Sequence, residues 1–85
     1  MEGPVTKEII KRLTAAFSPS ELTVDNLSEQ HRGHAGYTDG ESHFHVTIDA
    51  AAFAGMGRVA QQRLVMKQLQ DLMPTPIHAL GITVR

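Results

Sequence analysis

After Ser42, the stretch His43-Phe44-His45-Val46-Thr47-Ile48-Asp49 alternates without a break between polar and apolar side chains. A period of two belongs to a β-strand with one buried face, so Phe44, Val46 and Ile48 turn toward a core while His43, His45 and Thr47 turn away. Residues 21–27 show the same period more weakly, with Leu22 and Val24 set against Thr23 and Asp25. Two such runs in succession pair most simply as an antiparallel hairpin. Between them lies SEQHRGHAGYTDGE, residues 28–41, with three glycines and no apolar periodicity. It reads as a loop of about a dozen residues, and loops that long in compact domains often carry function.

Outward from the hairpin, both flanks read as helical. On the N-terminal side, Ile9, Ile10, Leu13, Ala16 and Phe17 keep helical spacing and form one stripe. Pro4 sits before this helix, and Thr6 or the residue before it is the expected N-cap. Ser18-Pro19-Ser20 stops it, because proline cannot continue a helix. On the C-terminal side, residues 50–57 form an Ala/Gly-rich turn or single helical turn around Phe53. A second helix is expected over 58–73, with Val59, Leu64, Val65, Leu69, Leu72 and Met73 available to its buried face. Pro74-Thr75-Pro76 ends it. A last strand is expected over 77–84, with His78, Leu80, Ile82 and Val84 in one phase.

The element order is α-β-β-α-α-β. A helical crossover returns the third strand parallel to its neighbour, with a right-handed connection. The expected fold class is therefore α+β: a two-layer sandwich of a three-stranded mixed sheet with helices on one face. All 85 residues form one domain, without internal repeats or low-complexity segments.

Composition narrows the function classes. Hydrophobic residues are 41% and charged residues 20%, as in ordinary folded domains. No apolar run is long enough to span a membrane, and the N-terminal segment lacks the apolar core of a secretory signal, so the expected location is cytoplasmic. A formal net charge of −1 discounts a protein whose main task is neutralising phosphates. There is no cysteine, which removes disulfides, thiolate nucleophiles and Cys-based zinc sites together. Without a serine in a nucleophile turn or a partnered carboxylate pair, the chain reads as a non-enzyme. Any metal ligand the chain supplies must be imidazole or carboxylate, and five histidines are present: His31, His34, His43, His45 and His78.

Several motifs occur in order along the chain. They are Gly40-Glu41-Ser42-His43-Phe44, then Ala52-Phe53-Ala54-Gly55, then Arg58-Val59-Ala60-Gln61-Gln62-Arg63-Leu64-Val65, and finally Ile77-His78-Ala79-Leu80. Taken together they resemble the signature of the BolA-like family over nearly the whole domain. Gln61 departs from that pattern, standing where the helix motif often carries arginine.

The resemblance implies a fold similar to the type II KH fold. It also implies partnership with a monothiol glutaredoxin, and a 2Fe–2S cluster shared with that glutaredoxin and glutathione, in iron–sulfur trafficking. In cluster-binding members one ligand is the histidine of the closing strand motif, which falls on His78. The other comes from the loop before the "HF" strand and falls on His34, with His31 in reserve. Two histidines replacing two cysteines on one iron is established chemistry in Rieske centres.

The alternative that the resemblance carries is a DNA-binding regulator using the second helix. Arg58, Arg63 and Lys67 are the docking candidates, for DNA phosphate or for a glutathione-bearing partner, with Lys11 and Arg12 on the first helix as further basic residues. The bland reading of the same residues is a solvated helix face. The two functional readings are compatible, since cluster binding could gate access to DNA. A weak homodimer is a further association left open. For His43 the residues suggest hydrogen bonding near the loop base, and for His45 a place on the sheet surface.

Overall fold

The structure is a computed structural model that describes residues 3–27 and 42–85. Helix α1 (Pro4–Phe17) leads into strand β1 (Glu21–Asn26). Strand β2 (His43–Asp49) follows, then a 3-10 turn (Ala51–Phe53), helix α2 (Arg58–Leu69), a second 3-10 turn (Gln70–Leu72) and strand β3 (Ala79–Val84). The sheet order is β1-β2-β3, antiparallel between β1 and β2 and parallel between β2 and β3. The expected α+β fold, with a mixed three-stranded sheet, is the one observed.

The alternation in β2 decides the layering. Phe44, Val46 and Ile48 are buried, while the residues between them are only half-buried. In the register of the sheet Leu22, Val24 and Leu80, Ile82, Val84 stand beside them and pack on the same cluster. Ile9 and Leu13 of α1, Val65 and Leu69 of α2, and Phe53 and Ile77 complete that core. The opposite face of the sheet carries Thr23, Thr47 and Thr83 in one row and Asp25, His45 and Gly81 in another.

Three boundaries and one burial assignment differ from the sequence reading, each for a local reason. Thr6 is not the N-cap: Gly3 holds that position, Pro4 opens α1, and Thr6 is buried within its first turn. Proline suits the first helical position because its fixed φ is helical and it has no N–H to leave unpaired. α2 ends at Leu69 rather than Met73, and the chain tightens into the 3-10 turn, closed by Met73 N–H to Gln70 O at 3.1 Å. Met73 is extended, as expected of a residue before proline.

Val59 is 63% exposed instead of buried. At 3.6 residues per turn it lies about 100° around the helix from the Val65–Leu69 stripe. β3 begins at Ala79 rather than Ile77, and the phase breaks there. Ile77 is buried and His78 exposed, so His78 does not share the inward face of Leu80, Ile82 and Val84.

Candidate functional site

The entry to β3 gathers the chemistry at one end of the sheet. Ser42, the residue before β2, accepts backbone hydrogen bonds at its carbonyl from His78 N–H at 2.7 Å and Ala79 N–H at 3.1 Å. His43 opens β2 opposite Ala79, and its own carbonyl accepts Leu27 N–H at 2.7 Å. His43 is therefore fixed between the chain leaving β1 and the chain entering β3. Its Nδ1 lies 2.8 Å from Ser42 Oγ. The imidazoles of His43 and His78 come together with ring centroids 5.5 Å apart and planes inclined by 58°. His78 is exposed and His43 half-buried, so the pair borders solvent.

Sequence reasoning placed His43 near the loop base with a hydrogen bond, and the Ser42 contact fits that. It did not foresee His43 meeting His78. Alternation assigns a face to each residue but not the residue that faces it; the parallel register supplies that.

His45 is a separate feature. Its Nε2 lies 2.8 Å from Thr83 Oγ1 across the strand, and its ring lies over Gly81. A hollow of about 320 Å³ runs along this face between Leu27, His43, His45, Ala79 and Gly81.

His34 and His31 lie in segment 28–41, outside the described residues. The two described residues that bracket that segment, Leu27 and Ser42, both adjoin His43. Among the described residues no group of three or more His, Cys, Asp or Glu could hold a metal ion. With no cysteine in the chain, imidazole is the nitrogen donor this end of the sheet could offer a metal.

The docking candidates lie elsewhere. Arg58, Arg63 and Lys67 are exposed on α2, and none pairs with a carboxylate among the described residues. Val59, Arg63 and Lys67 are spaced four apart and form one outward stripe. Arg58 stands at the mouth of a groove of about 230 Å³ between α2 and β3, lined by Gln61, Gln62, Ile82, Thr83 and Val84.

Arg12, counted with the basic residues in the sequence, is engaged internally. It bonds Glu8 at 2.7 Å, the Gln68 carbonyl at 3.1 Å and the Asp71 carboxylate. These contacts push the Arg12 guanidinium pKa upward, hydrogen bonding to Asp71 being the largest cause. No helix among the described residues is long and apolar enough to cross a membrane.

Fold and site together define a small two-layer α+β domain with an exposed histidine beside the first residue of its parallel edge strand. The family model described as BolA-like protein matches residues 13–85, and the chain belongs to that family.

Among its relatives, a protein in the cobS 5′ region of Sinorhizobium sp is 44% identical, over 92% of this chain and 86% of its own length. The DNA-binding transcriptional regulator BolA of Vibrio cholerae is 43% identical over 87% of this chain and 67% of its own length. The BolA domain of SufE1 from Arabidopsis thaliana superimposes with a TM-score of 0.86 and 36% identity, covering 100% of this chain and 94% of that one. Other relatives are longer: this chain spans 47% of the chloroplastic BOLA1 protein and 22% of the SufE-like protein 1 of Arabidopsis thaliana.

Proposed function

We propose that this chain is a non-enzymatic BolA-type adaptor that pairs with a monothiol glutaredoxin and shares a 2Fe–2S cluster with it. The observation that carries the reading is the exposure of His78 at the end of the sheet, in a chain without cysteine. His78 and His34 would hold the cluster from this side, with His31 in reserve. A cysteine of the glutaredoxin and the thiol of glutathione would hold it from the other. Such a group supplies one-electron redox chemistry and transferable iron and sulfide when bound.

This chain's contribution is to bind and orient. Ser42 fixes the backbone at His78 through its carbonyl, and Leu27 bonds the carbonyl of His43 beside it. Neutral imidazole donates less electron density than thiolate, so exchanging thiolates for histidines raises the reduction potential of the shared group. The test is visible absorbance and circular dichroism on mixing a cluster-loaded monothiol glutaredoxin with this protein. Wild type is expected to give a new spectrum and His78→Ala to leave that of the glutaredoxin unchanged. A full response from His78→Ala removes the ligand assignment.

A second reading is DNA binding through α2, and the outward stripe of Val59, Arg63 and Lys67 favours it. Its mark is affinity that falls steeply with salt, with the slope lowered by about one for each of Arg63 and Lys67 neutralised. No mobility shift at low salt ends that reading.

A further inference from the structure

We propose that His43, itself held by Ser42, is a positioning residue for the His78 imidazole; this rests on the reading of His78 as a ligand. An exposed imidazole on its own samples several rotamers and loses that freedom on ligation. Here three supports converge on it. The Ser42 carbonyl takes the N–H groups of both His78 and Ala79, which fixes the main chain at the base of the side chain. The Ser42 hydroxyl meets Nδ1 of His43 at 2.8 Å, which fixes the direction of that ring. The His43 ring then stands 5.5 Å from the His78 ring at 58°, within the tilted geometry that ring pairs favour.

One residue thus reaches His78 twice, through its own carbonyl and through the ring that its hydroxyl orients. His43 lies outside the buried core, so its role is local rather than a support of the fold. It does not itself take a ligand position; it sets where the His78 ring waits before a partner arrives. Residues that orient a metal ligand typically change metal affinity by about 10–100-fold when removed. The same range is expected here.

The experiment uses the full chain with His43→Ala, His43→Phe, Ser42→Ala and Ser42→Thr. Three-bond couplings and ring-to-ring proton contacts report the His78 rotamer in the metal-free protein. Circular dichroism of the cluster shared with a monothiol glutaredoxin reports co-ligation. One rotamer is expected for His78 in wild type, in His43→Phe, which keeps a ring, and in Ser42→Thr, which keeps a hydroxyl. Averaged rotamers and co-ligation weakened about 10-fold or more are expected in His43→Ala, with a smaller loss in Ser42→Ala.

The proposal is overturned if His78 keeps one rotamer and full co-ligation in His43→Ala. It is also overturned if His43→Phe keeps the His78 rotamer yet loses the cluster, since His43 would then be a ligand. If His78→Ala leaves the shared spectrum intact, the ligand reading fails separately, and the rotamer measurement still judges the positioning.

Discussion

At Gly81 the requirement for glycine comes from a neighbour rather than from the backbone. A Cβ built there would stand 2.6 Å from Nδ1 of His45 and 3.2 Å from Cε1, so any side chain displaces that ring. The ring is held on its other side by Thr83 Oγ1, and moving it breaks that bond. Gly81→Ala is therefore expected to destabilise the domain by about 1 kcal/mol, the usual worth of one side-chain hydrogen bond. Combining it with His45→Ala, which empties the space, should recover most of the loss; urea midpoints of the four proteins form the test. Equal midpoints for Gly81→Ala and wild type would show that the ring swings aside at no cost. Neither this contact nor the His43–His78 pair was legible in the sequence. The strand period placed His43 and His45 on the outward face, but Ala79 and Gly81 became their neighbours only through the parallel register.

Between elements, Arg12 ties α1 to the turn that follows α2. It holds Glu8 on its own helix, the Gln68 carbonyl at the end of α2, and Asp71 in the 3-10 turn. Hydrogen bonding to Arg12 keeps the Asp71 carboxyl below its ordinary pKa. The unfolded chain therefore takes up a proton there before the folded one does. The stability this adds is fully present above the ordinary carboxylate pKa, near 4, and is lost as pH falls through the lower folded value. Asp71 is largely exposed, so the effect is small but has a definite sign. Between about pH 7 and about pH 2.5, Asp71→Asn should lose less stability than wild type, measured as urea midpoints. Parallel losses in the two proteins would mean that the contact is not populated in solution. At this scale the sequence was most legible where periodicity is strict. The β2 alternation and the α1 stripe at Ile9 and Leu13 were read correctly, and the fold class followed from them. The ends were less legible, because Pro4 opens α1 ahead of Thr6 and the extended Met73 closes the last turn early. Val59 misled because an apolar residue in a helix reads as core until the phase of Val65 and Leu69 is known.

For the whole molecule, β3 sets the distance between the two candidate surfaces. His78 immediately precedes its first residue, whereas the Arg58 groove is lined by Ile82, Thr83 and Val84 at its far half. Four to six residues at about 3.3 Å each separate His78 from Ile82–Val84 by roughly 13–20 Å. The space between them is spanned by β3 and by β2 paired along it. That arrangement speaks against cluster binding directly gating access to DNA, one link the sequence reading allowed. Sites this far apart without shared partners usually contribute independently, within about 0.5 kcal/mol. Arg58→Gln with Arg63→Gln should thus leave the shared cluster spectrum unchanged, and His78→Ala should leave any DNA affinity unchanged. The triple variant should show each loss at its single-site size, by circular dichroism in one assay and mobility shift at low salt in the other. If His78→Ala or a bound glutaredoxin shifts DNA affinity by more than about threefold, the surfaces communicate.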